Sequence, residues 1–245
     1  MRIDIATLFP EMCEYYLNES IVGRAKEKGV FEVRCHNIRD YTLDKHRRVD
    51  DTPYSEQKGM LMRCDPIFRC FEAVTQGRKP HVIYMSPQGK VLTQNRCREL
   101  SQLSDIFILC GHYEGVDERV IEEIVDEEIS IGDYVLTGGE LPALVLVDGI
   151  VRMLDGTLSY ADCYEDESHY SGLLEYPQYT RPEEWHGRKV PEVLLSGHHA
   201  NIAKWRREQR ILTTLKKRPD MLESASLGKD DMAIIDNFNK MKNEE

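Results

Sequence analysis

The amino-acid sequence predicts an α/β protein with a mostly parallel sheet, helices on both faces of that sheet and a small helical C-terminal domain. Two observations predict this class. Short apolar runs alternate with helical patterns through the first two thirds of the 245 residues. After the proline-bearing stretch 176–191, the apolar positions take helical spacing alone. We therefore predict a first domain at 1–156, a mobile linker without an apolar face at 157–172, and a helical domain at 173–245.

The individual elements follow from apolar spacing and from the residues that begin or end each one. Asp65, before Pro66, is the predicted N-cap of one helix, Asp117 caps another, and Pro142 lies near the first turn of a third. The stretch 40–64 is polar and irregular. The predicted elements of the first domain are a strand at Ile3–Leu8, a helix at Pro10–Lys28, a strand at Val30–His36, a helix at Asp65–Gln76, a strand at His81–Met85, a helix at Gln94–Leu103, a strand at Asp105–Cys110, a helix from Asp117 to Asp126, a strand at 129–136 and a helix at Glu140–Leu154. Those of the second domain are helices at Ala200–Lys216, around Met221 and at Asp230–Lys242.

Composition argues against several classes of protein. No apolar run approaches the ~20 residues that span a bilayer, and the early Asp4 argues against a signal peptide. The seven cysteines are scattered without a C-x-x-C pair, which argues against a disulfide framework or zinc ribbon and favours a reducing cytoplasm. His198 and His199 are helix neighbours that do not face each other, so we assign no metal ligands.

Charge is distributed unevenly along the chain. The net charge of −11 argues mildly against a nucleic-acid binder. However, the stretch Lys204–Arg218 is strongly basic, and a second basic stretch holds Lys45, Arg47 and Arg48. Local patches of this kind can contact phosphates even on an acidic protein. The alternative is that each patch is a solvated surface.

Three predicted strands each end in a glycine-bearing turn, at Ser86–Gly89, Gly111–Gly115 and Gly138–Gly139. Because carboxyl ends of parallel strands meet at one edge of a sheet, these turns predict one ligand crevice, although each could be only a tight connection. Neither G-x-G-x-x-G opening a helix nor G-x-x-x-x-G-K-[ST] occurs, so an ordinary Rossmann or P-loop site is not expected. Main-chain polar groups and apolar walls would suit an adenine and a thioether or sulfonium. Those walls are predicted to be Tyr84, Met85, Ile131, Tyr134 and Leu136.

Ten segments, in one order along nearly the whole chain, carry a family resemblance. They are Leu8–Pro10, Asp50–Tyr54, Gly59–Met62, Tyr84–Gly89, Cys110–Gly115, Asp117–Arg119, Ile131–Pro142, Tyr179–Pro182, Leu194–Gly197 and Trp205–Arg206. In these segments the chain resembles the bacterial tRNA (guanine-N1)-methyltransferases of the SPOUT class, which modify guanine 37 beside the anticodon.

The resemblance implies a deep trefoil knot in the sheet, a rare topology. It also implies a homodimer with its active site at the subunit interface, S-adenosylmethionine as methyl donor, assistance from Mg²⁺, and tRNA held by the helical domain, with no role for DNA or a membrane. The residues expected at the cofactor are Tyr84, Met85, Ser86, Pro87, Gln88, Gly89, Gly111, Tyr113, Glu114, Gly115, Ile131, Gly132, Asp133, Tyr134, Val135, Leu136, Gly138, Gly139 and Pro142.

The resemblance also implies a general base in the linker, because N1 of guanine carries a proton at neutral pH. The family has an aspartate followed by serine at this place. Here Glu167 stands immediately before Ser168 and Asp166 one residue earlier, so both carboxylates remain candidates. Arg152 matches the family's active-site arginine, and Glu114 matches a glutamate that contacts the guanine.

Contacts with tRNA are assigned to matched segments and to the basic stretch: Asp50, Arg181, Ser196, Lys216, Lys217 and Arg218. The chain departs from the family at Ser55–Lys58, which replaces a glycine-rich run, at His112, which replaces an arginine, and at His198, which replaces an asparagine. Three alternatives stay open: a SPOUT methyltransferase for another RNA, a non-catalytic RNA-binding sensor of the cofactor, and a metabolite-binding or scaffold module.

Overall fold

A computed structural model describes residues 1–54, 58–158 and 167–243 of the chain. The chain divides into two compact units, Met1–Ala161 and Asp162–Glu245. Among the described helices, none combines the length and apolar character that crossing a bilayer requires.

The first unit alternates strands and helices, as the sequence predicts. Its elements are β1 (Arg2–Thr7), α1 (Pro10–Leu17), α2 (Ser20–Glu27), β2 (Glu32–Asn37), a 3₁₀ helix at Ile38–Tyr41, β3 (Asp50–Asp51), β4 (Leu61–Met62), α3 (Cys64–Thr75), β5 (His81–Val91), α4 (Gln94–Leu100), β6 (Asp105–Cys110), α5 (Glu118–Ile124), β7 (Glu127–Ser130) and α6 (Glu140–Val151).

Five parallel strands form the central sheet in the order β2-β1-β6-β5-β7. The prediction of a mixed α/β protein with a mostly parallel sheet is therefore confirmed. Side chains of α1, α2, α4 and α6 pack in one core cluster, and those of α3 and α5 pack in another. Successive residues of β6 alternate between the clusters, with Ile108 in the first and Leu109 in the second. Because both faces are covered, β6 is a continuous apolar run.

The single helix predicted at Pro10–Lys28 is wrong, because the chain forms two helices there. Asn18 ends α1, and Ser20 has a φ of 54°, outside the right-handed helical region. Gly23 then packs directly on the backbone of Asn18, since a Cβ at Gly23 would lie 2.3 Å from the Asn18 carbonyl oxygen. The break is stabilised by a close approach that apolar spacing does not reveal.

Two further predictions are corrected at element ends. The strand predicted at 129–136 stops at Ser130, whose side chain bonds the backbone of Gly132 and turns the chain. Asp65 is not an N-cap, since α3 begins one residue earlier at Cys64 and Asp65 forms an ion pair with Arg63 at 3.1 Å instead. Asp117 does cap α5, accepting a hydrogen bond from the Arg119 amide.

The second unit contains a two-stranded hairpin, helices and a 3₁₀ turn. Its elements are β8 (Glu184–Trp185), β9 (Arg188–Lys189), α7 (Glu192–Leu195), α8 (His199–Lys217), a 3₁₀ helix at Pro219–Glu223 and α9 (Lys229–Asn243). The hairpin and α7 were not predicted. Arg207 of α8 and Asp231 of α9 form an ion pair at 2.6 Å, and Thr214 accepts a hydrogen bond from the Leu174 amide.

A buried carboxylate, that of Asp4 in β1, links neighbouring segments of the first unit through side-chain hydrogen bonds. Asp4 is only 1% exposed. It accepts hydrogen bonds from Arg2 at 2.8 Å and Arg78 at 3.0 Å and contacts the His36 ring at 2.8 Å. Burial alone would raise the pKa of Asp4, but its hydrogen bonds with His36, Arg2 and Arg78 hold that pKa well below its ordinary value.

We predict that Asp4→Asn lowers the free energy of unfolding by about 1–3 kcal/mol at pH 7, because it removes the buried charge that accepts hydrogen bonds from the partly exposed Arg2 and Arg78. The folded pKa lies below the unfolded value of about 3.9. The stabilisation is thus present above pH ~4 and is lost as the pH falls through the folded pKa. Urea unfolding across this range should show the parent and the variant converging in acid.

Asp220→Asn is the matched control, since Asp220 pairs with Arg218 at the surface. It should leave the free energy of unfolding nearly unchanged. Equal stability of Asp4→Asn and the parent at pH 7 would contradict the role given to Asp4.

Candidate functional site

A pocket lies at the carboxyl ends of β6 and β7 and beside residues 84–88 of β5, at the edge where the sequence predicts a crevice. All three glycine-bearing segments contribute to its wall. The predicted cofactor-binding residues that line it are Tyr84, Met85, Ser86, Pro87, Gln88, Gly111, Tyr113, Glu114, Gly115, Ile131, Tyr134, Val135, Leu136, Gly138, Gly139 and Pro142. Gly89, Gly132 and Asp133 belong to the same segments but do not line it.

The first wall segment is an excursion inside a long strand, not the turn that the sequence predicts. Met85 and Lys90 of β5 both pair with Ile129 of β7, so the four residues between them leave the ladder. Gly89 closes this excursion against β7, since a Cβ there would lie 2.4 Å from the Glu128 carbonyl. This contact explains why Gly89 does not face the pocket.

The second wall segment, Gly111–Gly115, is a tight loop after β6. A Cβ at Gly111 would lie 2.8 Å from the Tyr84 hydroxyl oxygen, so glycine lets that ring approach the main chain. Tyr113 has a φ of 58°, in the left-handed region. Its hydroxyl accepts a hydrogen bond from Arg39 at 3.2 Å. The Glu114 amide donates to the Met60 carbonyl at 3.0 Å, which fixes the loop to the chain before β4.

The third wall segment joins β7 to α6 and touches the second. The Gly139 amide donates to the Gly111 carbonyl at 2.8 Å. A Cβ at Gly139 would lie only 2.8 Å from the Cys110 Cα, so this position has no room for a side chain. Glu140, the first residue of α6, is buried and accepts a hydrogen bond from the Thr7 hydroxyl at 2.7 Å. A carboxylate in the first turn of a helix is also favoured by the helix dipole.

The charged side chains that line the pocket are negative. Its lining includes the carboxylates Glu114, Glu118 and Glu128, and no lysine or arginine among the described residues. Burial, followed by the nearby Glu128 charge, raises the pKa of Tyr84 to about 12, so its hydroxyl stays protonated at neutral pH. Such a pocket favours a cationic ligand and disfavours a phosphorylated one.

Several lining residues were missed by the sequence analysis: His112, Val116, Glu118, Ile121, Glu128, Ile129, Ser130 and Thr137. Most are direct neighbours of predicted residues, and Glu128–Ser130 would have been found if the end of β7 had been placed correctly. Glu118 and Ile121 come from α5, whose packing beside the pocket has no local sequence signal. The His112 Nδ1 atom is buried and has no hydrogen-bond partner among the described residues.

The remaining predicted site residues are distributed over both units. Arg152 is the C-cap of α6 and is partly buried, and Asp50 lies in β3, paired with Met62. Glu167 belongs to the second unit, while Asp166 lies outside the described residues. The other predicted tRNA contacts, all in the second unit, are Arg181, Ser196, Lys216, Lys217 and Arg218.

Comparison with known proteins identifies the family. A family model described as tRNA (guanine-1)-methyltransferase TrmD matches residues 1–224. The chain belongs to this family. The resemblance inferred from the sequence is thereby confirmed.

Similar curated proteins carry the name tRNA (guanine-N(1)-)-methyltransferase. One from Ruminiclostridium cellulolyticum is 58% identical over 223 residues, covering 90% of this chain and 96% of that protein. One from Clostridium botulinum strain Hall is 52% identical over 240 residues, covering 98% and 99%. One from Staphylococcus epidermidis is 48% identical over 245 residues, covering all of both chains.

We predict that Gly139→Ala lowers the free energy of unfolding by about 1–3 kcal/mol, because the added methyl must push apart two backbone segments. Denaturant unfolding of the full chain measures this loss. Gly228→Ala is the control, since its Cβ would meet only the Asp231 carboxylate at an ordinary 3.7 Å. Equal stability of the two variants would show that the Gly139 contact is not a constraint.

Proposed function

We propose that this protein transfers a methyl group from S-adenosylmethionine to N1 of guanine 37 in tRNA. The observation that carries the proposal is the acidic pocket of three main-chain loops at the carboxyl edge of the sheet, in a chain that belongs to the tRNA (guanine-1)-methyltransferase family. The name of the relatives gives the same base and the same atom.

The residues of the pocket fit this donor. S-adenosylmethionine, when bound, supplies an electrophilic methyl on a positively charged sulfur. The three lining glutamates suit that charge and the donor's ammonium group. The His112 Nδ1 atom, which has no hydrogen-bond partner in the part of the chain that the structure describes, offers a polar contact. Gly111 and Gly139 have no side chain, so the two loops pack closely where they line the pocket. The same three glutamates argue against a dinucleotide, because they would repel its phosphates.

The acceptor needs a base, because the N1 lone pair of guanine is unavailable until its proton leaves. A carboxylate from Glu167 or Asp166 would take that proton, and a cation such as Arg152 near O6 would stabilise the developing negative charge. General-base assistance accelerates the reaction roughly 10²–10⁴-fold, which is about 3–5 kcal/mol of the barrier. Alignment of the reacting groups can lower the barrier by about 7–11 kcal/mol. Positioning of the tRNA is therefore the larger effect.

We assign the positioning of tRNA to residues of both units. Glu114 lines the pocket and would contact the guanine, with Asp50 on the adjoining hairpin. In the second unit, which we propose as a small helical tRNA-binding domain after a linker at 157–172, Arg181, Ser196 and the exposed Lys216, Lys217 and Arg218 would contact the RNA.

Assembly as a homodimer is part of the proposal. Its support is an exposed apolar surface on α1 and α6, where Tyr15 is 77% exposed, Leu141 51% and Val145 48%. Tyr16 of α1 hydrogen-bonds Asp148 of α6, so the two helices present this surface together. A second copy would cover it and complete the active site. No role for DNA or a membrane is proposed.

A trefoil knot at the cofactor loops is also proposed. It is supported by the close passage of 137–140 along 110–112, where His112 and Gly138 form an antiparallel bridge. Mg²⁺ is expected from the resemblance, but the described residues include no group of three His, Cys, Asp or Glu side chains arranged to hold a metal. A cytoplasmic location is proposed, and it accords with the free thiols of the six described cysteines.

We predict that the purified chain transfers radiolabelled methyl from S-adenosylmethionine to an unmodified tRNA transcript that contains guanine 37. Replacing that guanine with adenine should abolish transfer, since adenine has no N1 proton for the base to remove and has an amino group in place of O6. Transfer to both transcripts would point to another base. Tight binding of donor and tRNA without any transfer would instead favour a sensor.

We predict that Glu167→Gln and Asp166→Asn differ sharply in single-turnover rate. The variant that lacks the true base should lose about 10²-fold or more, because nothing replaces its proton acceptor, while donor affinity measured by calorimetry stays unchanged. Each variant is the other's control. Small and equal losses would remove the base from this segment.

A further inference from the structure

The loop at residues 42–48, here called the basic loop, lies at the same edge of the sheet as the cofactor pocket. Its approach begins where β2 ends, and Asn37 of β2 pairs with Thr7 of β1. Thr7 in turn bonds Glu140, which directly follows the glycine pair of the pocket wall. The chain that enters and leaves the basic loop therefore emerges at the carboxyl edge.

The basic loop is fastened to the pocket wall at both ends. Before it, Arg39 donates to the hydroxyl of Tyr113, which lines the pocket. After it, the Val49 carbonyl accepts from the Arg63 amide at 2.8 Å, and the adjacent Met62 amide donates to Gly115 at 2.9 Å. Hydrogen bonds thus connect both ends of the basic loop, directly or through a neighbouring residue, to the pocket loop Gly111–Gly115.

Inside the basic loop, one carboxylate holds the backbone. Asp44 accepts hydrogen bonds from the amides of His46 at 2.8 Å and Arg48 at 3.1 Å. Thr42 accepts from the Asp44 amide and donates to the Arg48 carbonyl, both at 3.1 Å. The Asp44 side chain is only 15% exposed, so its carboxylate points into the loop and not toward solvent. Arg48 pairs with Asp44 and so supports the loop itself.

The other bases project outward. Lys45, His46 and Arg47 are all exposed. Lys45 has no ion pair with any described residue. Arg47 is held in the left-handed region at a φ of 55°, and its partner Asp40 is itself exposed. A surface ion pair of this kind contributes little and can be exchanged for another anion. The loop therefore presents Lys45 and Arg47 on a fixed backbone beside a pocket lined by glutamates.

From this arrangement we propose that the basic loop binds backbone phosphates of the tRNA strand that carries the target guanine, through Lys45 and Arg47. The inference rests on the proposed function. An RNA strand entering an acidic pocket meets repulsion from Glu114, Glu118 and Glu128, so its phosphates need positive contacts at the rim. The basic loop supplies them at the same edge of the first unit, in addition to the contacts proposed for the second unit.

The test is the salt dependence of tRNA binding by the full chain, measured with an unmodified tRNA transcript over a range of KCl concentrations. For Lys45→Gln/Arg47→Gln, the plot of log K against log[KCl] should become shallower by about 1.5–2, because two phosphate contacts are lost. If the two proteins bind equally at 1 M salt, this slope change lowers the affinity at 0.1 M salt by about 30- to 100-fold. The affinity for S-adenosylmethionine should not change.

The matched control is Lys28→Gln/Lys79→Gln, which removes two exposed charges from the opposite edge of the same sheet. It should keep the parent's salt slope, as should the charge-preserving Lys45→Arg/Arg47→Lys. The inference is overturned if Lys45→Gln/Arg47→Gln keeps the salt slope of the parent, or if the control changes the salt slope by the same amount. If the parent methylates tRNA in that case, the proposed function stands. A parent that neither binds nor methylates tRNA overturns both.

Discussion

The hydrogen bond from the Gly139 amide to the Gly111 carbonyl joins two loops that no side chain could be fitted between. The start of α6 thereby lies directly against the end of β6, and the carboxylate of Glu140 reaches Thr7 on the next strand. The ring of Tyr84 can approach the main chain at Gly111 because glycine has no side chain there. The pocket exists because backbone approaches backbone at this edge, and its lining combines these loops with the carboxylates of Glu114, Glu118 and Glu128.

Charge divides the first unit into functional regions. The network around Asp4 compensates a buried carboxylate with two arginines and a histidine, and it stabilises the sheet. The pocket does the opposite, gathering glutamates without a lysine or arginine among its described lining residues. The basic loop then returns positive charge at the rim. A net charge of −11 is therefore compatible with an RNA substrate, because the sign that matters is local.

Sequence reasoning succeeded where a residue type has one strong structural use. Glycines after apolar runs located the pocket loops, and Asp117 located the start of α5. It failed where tertiary contacts decide. The break between α1 and α2 contains no proline, and depends on Gly23 packing on Asn18. The end of β7 depends on the Ser130 side chain bonding Gly132. Within the pocket, Glu118 and Ile121 are brought in by the packing of α5, which apolar spacing does not place beside the pocket.

The excursion at 86–89 has a consequence for how this pocket can change. Because Met85 and Lys90 share the partner Ile129, the residues between them are absent from the strand register. Lengthening or shortening that segment would leave every other pairing of β5 in place. This part of the pocket wall can therefore change in length while the paired strands stay the same. An insertion or deletion at 86–89 would alter the size of the pocket without refolding the sheet.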